Sequence, residues 1–192
     1  MKSEHDRLYS ERLVLRRYRA DDLDALDRLN RDPAVMRYMG GPASRADSEA
    51  MLRHRILAYY RAHPGLGIWA VEERDGGACI GMHLLNHIQG EPYVQVGYRL
   101  YPECWGRGYG TEMTRRLLRY GFETLGLPRI VAITHLDNRE SQHVLLKSGL
   151  ARRGERTVSH PGYGGAPLAW FERDRADWLA TAPAVADPQG KA

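Results

Sequence analysis

Cys104-Trp105-Gly106-Arg107-Gly108-Tyr109-Gly110-Thr111-Glu112 runs without a break into a helical pattern. Met113, Leu117, Tyr120 and Leu125 fall on one side of that helix, while Arg115, Arg116, Arg119 and Glu123 fall largely on another. Three glycines alternating with larger residues let the backbone turn sharply and bare its N–H groups. At a helix N-terminus those groups and the helix dipole make an anion site suited to a pyrophosphate. A nucleotide-containing cofactor is therefore expected here, against the simpler reading of a glycine turn that only caps a helix.

Spacing narrows the choice. The dinucleotide fingerprint wants G-x-G-x-x-G after a strand, with an acidic residue about 20 positions on. Thr111 stands where its third glycine belongs, and Asp137, the acidic residue nearest that distance, lies in another kind of segment. No G-K-[ST] ending of a phosphate-binding Walker loop occurs, nor H-E-x-x-H, C-x-x-C or G-x-S-x-G. No metal is expected.

Outward from the loop, the order is mixed α and β. Leu13, Leu15 and Tyr18 suggest a strand, followed by a helix over Leu23, Leu26 and Leu29 for which Asp21 with Asp24 forms an imperfect N-terminal cap. Asp32-Pro33 opens a second short helix, and Ser44 with Asp47 opens one carrying Met51, Leu52, Ile56 and Tyr59. Ile68 to Glu73 reads as a strand, Asp75-Gly76-Gly77 as a hairpin turn, and Cys79 to Ile88 and Tyr93 to Leu100 as strands before the loop. Beyond it come a β-branched strand from Ile130 to Thr134, a helix from Ser141 to Lys147 stopped by Gly149, and strands near Arg156 and Leu168. Asp177-Trp178-Leu179 is expected to pack back on the domain. Residues 1–9 read as a flexible N-terminus, 10–180 as one domain and 181–192 as a disordered tail.

Bulk properties agree with one soluble domain. A chain of 192 residues buries a sizeable core unaided. The net charge of +4, from 28 basic and 24 acidic residues, suits a polyanionic cofactor and is too small to argue for nucleic acid. Two cysteines, Cys79 and Cys104, imply no disulfide framework, so a reducing cytoplasm is expected. No apolar run approaches the roughly 18 residues of a membrane span, and the charged N-terminus has no signal-peptide core.

The loop, as Pro102-Glu103-x-Trp105-Gly106-x-Gly108-Tyr109-Gly110-Thr111-Glu112, resembles the acyl-CoA pyrophosphate loop of the GNAT N-acetyltransferase superfamily. It is most similar to the RimJ/RimL-like branch, which includes ribosomal-protein N-terminal acetyltransferases. Ser10-Glu11-Arg12-Leu13-Val14-Leu15-Arg16-Arg17, Asn30-Arg31-Asp32-Pro33, Gly97-Tyr98-Arg99-Leu100, Asp137-Asn138-Arg139-Glu140-Ser141 and Lys147-Ser148-Gly149-Leu150 extend the likeness in the family's order. The resemblance implies an α/β domain with a central mixed, mostly antiparallel sheet, splayed between strands 4 and 5 and flanked by helices. Acetyl-CoA then lies in the opening, its pantetheine paired with backbone around Tyr98 to Leu100 and its pyrophosphate on the N–H groups of Arg107, Gly108, Tyr109, Gly110 and Thr111.

Further roles follow from the same resemblance. Asn138 is expected to bind the pantetheine amides, and Ser141 to stand near the thiol; capping of the following helix is the competing reading for both. Arg107 is either a phosphate ligand or a solvated loop residue. Many relatives place a tyrosine, acting as general acid, where this chain has Leu145. Attack by an amine needs a proton acceptor, for which His83 and His135 are candidates beside His87, which shares a strand face with His83. The expected activity is transfer of an acetyl group to a primary amine, on a peptide N-terminus or a small molecule, by direct attack in a ternary complex. The alternative is an acyl-CoA-binding sensor or scaffold without turnover. Neither nucleic acid nor membrane is an expected partner, and a homodimer is compatible with the branch.

Overall fold

A computed structural model describes residues 7–159 and 161–181. Eight strands form one sheet in the order β1-β2-β3-β4-β5-β6-β8-β7. They are β1 (Arg7–Tyr9), β2 (Leu13–Arg17), β3 (Gly67–Glu73), β4 (Cys79–His87), β5 (Val94–Leu100), β6 (Arg129–His135), β7 (Ala151–Arg156) and β8 (Leu168–Asp174). Every pairing is antiparallel except β5 with β6. That parallel contact is a single register pair, Gln95 opposite Val131, so the sheet opens beyond it. The expected splay is there. It falls between the fifth and sixth strands because β1 adds one to the count.

Strand β1 corrects the reading of residues 7–9 as loose. Leu8 is buried and pairs with Leu15, so a three-residue edge strand is held by one side chain in the core. Residues 1–6 and 182–192, which hold the rest of the expected flexible N-terminus and tail, lie outside the described residues.

Helices cover both faces. On one, α5 (Tyr109–Arg119) and α6 (Arg139–Lys147) bury Met113, Leu117, Leu118 and Leu145 against Trp69, Val71, Leu85 and Val96. Helix α5 passes into a π-helical turn, Tyr120–Thr124, where Tyr120 meets Trp69 edge-on and Phe122 meets Trp178 of α7 (Arg175–Thr181). On the other face lie α1 (Leu23–Arg31), α2 (Pro33–Met36) and a long helical run. That run starts as α3 (Arg45–Ala50), widens into a π-helical stretch (Met51–Leu57) and ends as α4 (Ala58–Ala62). Leu26, Leu29, Leu52 and Ile56 from these helices pack on Ile68, Ala70 and Met82.

Local signals explain the boundaries. Asp32 accepts the N–H groups of Ala34 and Val35 to start α2, with Pro33 in the first turn. Ser44 and Asp47 form a reciprocal capping box on α3. The Asp21 and Asp24 cap does not form. Asp22 precedes α1 and gives its carboxylate to both Arg16 Nη groups, at 2.6 and 2.7 Å, while Asp24 pairs with Arg45. Among the described residues no helix is long and apolar enough to cross a membrane.

Candidate functional site

The glycine loop is positioned from three sides. Trp105, half exposed, donates its indole N–H to the Leu100 carbonyl at 2.8 Å and fixes the loop to the end of β5. Gly108 precedes α5 at φ +79° and Gly106 stands at φ +72°, left-handed conformations that disfavour any side chain. Gly110 lies so close to Tyr98 that a Cβ there would stand 3.1 Å from the ring. The N–H groups of Tyr109, Gly110 and Thr111 open α5 and so have no intrahelical acceptor. They form the cradle that a pyrophosphate fits.

Side chains of this loop behave differently from its backbone. Arg107 turns to Glu73, 2.9 Å away, and lies over the Tyr109 ring. The Tyr109 phenol donates to the same Glu73 carboxylate at 2.6 Å. Leu100 is buried, with its carbonyl already serving Trp105. The loop therefore presents backbone N–H groups.

A cleft of about 560 Å³ runs through the splay. Strand β5 lines it from Gln95 to Arg99, β6 from Ile133 to His135, and Asn138, Ser141 and Leu145 of the α6 segment complete that side. Met36, Met39 and Met51 line the opposite wall, with Gly162 and Tyr163 from the connection between β7 and β8; His160 of that connection lies outside the described residues. Tyr98, Asn138, Ser141 and His135, expected together from the sequence, are thus brought together.

Asn138 does what a cap does. Its Oδ1 accepts the Ser141 N–H at 3.1 Å, which leaves Nδ2 without a partner among the described residues. Capping uses the oxygen and not the amide donor, and Asn138 lines the cleft, so the two roles weighed for it are compatible. Burial pushes the Tyr98 phenol up to about 12, although nearby Ser141 acts the other way, so it is protonated at neutral pH. His135 stacks on Tyr38 with ring centroids 5.3 Å apart, and its Nδ1 accepts the Asp137 N–H at 3.2 Å.

His83 stands elsewhere. It is fully buried, does not line the cleft, and stacks on Tyr98 from inside the core, with Nε2 3.5 Å from the Thr114 hydroxyl. Burial drops its imidazole to about 3, so it is neutral and braces α5 against β4. His87 does line the cleft, bonded through Nδ1 to the Tyr59 phenol at 2.7 Å. Cys104 is buried, and desolvation raises its thiol. Glu103 is paired with Arg28. Among the described residues no group of three or more His, Cys, Asp or Glu could hold a metal ion. Sequence reasoning quoted Arg99 and Asn30 within motifs without assigning them a task; both line the cleft.

An open sheet with a glycine cradle at one side of the splay and a polar cleft through it defines an acyl-CoA-dependent transferase. The chain belongs to the GNAT acetyltransferase family: residues 12–151 match the model described as "Acetyltransferase (GNAT) domain". It is an N-acetyltransferase with acetyl-CoA as co-substrate, as members of that family are. The uncharacterized N-acetyltransferase YoaA of Bacillus subtilis (strain 168) is 32% identical over 151 residues, which is 77% of this chain and 84% of that protein. An acetyltransferase from Agrobacterium tumefaciens superposes with a TM-score of 0.74 at 28% identity, over 87% of this chain and 93% of its own. The spermidine N-acetyltransferase of Vibrio cholerae, solved with CoA and spermine, shares the fold at a TM-score of 0.69 and 19% identity, over 88% of this chain and 98% of its own.

Proposed function

We propose that this protein transfers an acetyl group from acetyl-CoA to a primary amine by direct attack in a ternary complex. The observation that carries this is the cleft itself: one continuous space holds the β5 edge, Asn138 and Ser141 on one side and an unfilled acceptor wall on the other. Both reactants fit without a covalent enzyme intermediate, and the buried Cys104 is not in that space. The ordered motifs from Ser10 to Leu150 support membership of the RimJ/RimL-like branch.

In the proposed assignment the N–H groups of Gly108, Tyr109, Gly110 and Thr111 hold the pyrophosphate. Backbone of Tyr98 and Leu100 pairs with the pantetheine, whose amide Asn138 Nδ2 meets. Arg107 contributes its backbone, because its guanidinium is engaged by Glu73. The amine lone pair attacks the thioester carbonyl carbon, and the C–S bond breaks with its electrons on sulfur. The thiolate is met by the Ser141 hydroxyl, with the protonated Tyr98 phenol lining the same cleft. This pair replaces the tyrosine that many relatives carry where Leu145 is buried. The proton lost from nitrogen passes through water to His135 Nδ1, the unprotonated ring nitrogen, which gives up the Asp137 N–H that it otherwise accepts. His83 takes no part, being sealed from the cleft.

Titration calorimetry with acetyl-CoA, followed by a screen for amine-dependent CoA release, tests the reading. Micromolar binding lost in both Gly108→Trp and Asn138→Ala, with CoA released by some amine, is the expected result. Binding without release by any amine would favour the sensor instead; absence of binding would remove both.

A further inference from the structure

Among the described residues Arg99 is a cation without a counter-ion. Its Nη1 donates to Asn30 Oδ1 at 2.7 Å and sits 2.9 Å from Met36 Sδ, while Nη2 sits 2.9 Å from Met82 Sδ and 3.9 Å from Met51 Sδ. A guanidinium carries five N–H donors, and here the strongest acceptor is one neutral amide oxygen. Thioethers accept weakly. Among the described residues no carboxylate pairs with it, and the charged or ionisable groups that act on it are the Tyr18 and Tyr163 phenols and the like-charged Arg55. Desolvation accordingly lowers its affinity for the proton, although an arginine stays charged at neutral pH.

Leaving a partly buried charge unpaired is costly, and the cost is recovered when a ligand brings the opposite charge. Arg99 faces the cleft, so a ligand can reach it. A second guanidinium, Arg55, lines the same wall, is exposed, and has no ion-pair partner among the described residues. The lining carboxylate is Asp47, whose Oδ2 accepts the Ser44 hydroxyl and N–H at 2.6 and 3.0 Å and is thereby tied to the start of α3. The anion to be received is not the cofactor's pyrophosphate. Neighbouring strand residues point to opposite sheet faces, and Tyr98 packs under Gly110 of α5 whereas Arg99 packs under Asn30 and Met36 of α1 and α2.

We propose that the acceptor is a small amine bearing a carboxylate, which Arg99, seconded by Arg55, receives on the sheet face opposite α5 while the amine reaches the thioester beside Ser141. The assignment rests on the acetyl-transfer reading above. It sets this cleft apart from one for a polyamine: spermidine would bring further positive charge to a wall that already holds two unpaired guanidiniums.

The test offers the full chain and acetyl-CoA free amino acids, the matching carboxamides, and spermidine, with CoA release read by a thiol reagent. The expected kcat/KM is at least about tenfold higher for the acids than for their carboxamides, with little release from spermidine. Arg99→Met, which adds a thioether to a wall of thioethers, should raise KM for the acids about tenfold or more and erase the discrimination, with the affinity for acetyl-CoA retained as a check on folding. Arg55→Gln, at an exposed position, should raise KM about threefold and decides the matter if Arg99→Met does not fold. Carboxamides or spermidine used as well as the acids, or discrimination intact in the folded variants, would overturn the proposal. If acetyl-CoA binds and no amine releases CoA, the acetyl-transfer reading fails by itself. Calorimetry of amino acids against the CoA-saturated protein then decides: binding that Arg99→Met abolishes upholds the carboxylate site, and no binding overturns it.

Discussion

Arg12 and Glu112, 100 residues apart in the chain, lock the first long strand to the glycine loop. Glu112 Oε1 accepts the Arg12 N–H at 2.9 Å and the Ser10 hydroxyl at 2.6 Å, and Oε2 accepts Arg12 Nε at 2.8 Å. Arg12 Nη1 continues to the Arg107 carbonyl at 3.0 Å, and its guanidinium lies over the Tyr109 ring. Burial pushes the Glu112 carboxyl up, but the bonds from Ser10 and Arg12 outweigh it and hold it low. The S-E-R sequence before β2 and the T-E that opens α5 are thus two halves of one clamp.

Opening that clamp should loosen the loop without touching its backbone donors. Glu112→Ala is expected to weaken acetyl-CoA binding about tenfold, or about 1.4 kcal/mol, while Arg7→Ala at the exposed start of β1 leaves it unchanged. Calorimetric Kd values check this; an unchanged Kd in Glu112→Ala would show that the loop holds its shape alone.

Close packing of Gly110 on Tyr98 makes even a methyl group felt. A Cβ at 3.1 Å must push Tyr98 into His83, which it already stacks on at 5.1 Å, or lift α5. Gly110→Ala should therefore cost about 1–3 kcal/mol by overpacking and lower Tm by several degrees in a thermal scan. A Tm equal to wild type would mean that the ring has room to move.

Acid should expose the burial of His83. The unfolded chain takes a proton there near pH 6.5, whereas the folded imidazole resists it down to about 3. The unfolded state thus binds more protons throughout that window. Stability from this group is complete above about pH 6.5 and falls as the pH drops, by up to roughly 1.4 kcal/mol per unit. Denaturant midpoints measured from pH 7 to 4 should fall less steeply in His83→Phe, which keeps the stacked ring without the ionisation. Parallel curves for the two proteins would place the acid sensitivity elsewhere.

Ser141 should matter to turnover and not to affinity. Ser141→Ala removes the proposed thiolate partner and is expected to lower kcat about tenfold or more, with the Kd for acetyl-CoA within about twofold. Steady-state kinetics beside calorimetry separates the two. A fall in affinity with kcat preserved would make it a cofactor ligand instead.

Legibility in the sequence followed how local each cause was. Gly108, Asn138 and the Ser44–Asp47 box act within a turn or two, and their sequence signals are complete. The β3–β4 hairpin and the alternation through β5 are likewise local. Strand β1 depends on one apolar residue, Leu8, finding an edge made by β2, so no pattern within residues 7–9 announces it. His83 and His87 share a strand face by spacing, yet one is sealed under α5 and the other opens on the cleft, because what covers each comes from elsewhere in the chain. Arg99 shows the limit most plainly. Nothing in its own strand announces its contacts with Asn30 and Met36, because α1 and α2, which cover it, come from elsewhere in the chain. The Met51–Leu57 stretch has helical periodicity, and periodicity does not distinguish a π turn from an α turn.

A sheet joined at Gln95 and Val131 alone is, mechanically, two plates sharing one rivet. The first plate, β1 to β5, and the second, β6 to β8, each carry their own ladder, and the backbone ladder between them is a single rung. Backbone protons of β5 beyond Gln95 that face the gap have no neighbouring strand to shield them, so they should trade with deuterium sooner than those facing β4. A ligand lying along β5 in the gap would stand in for the missing strand, and those protons should then exchange more slowly.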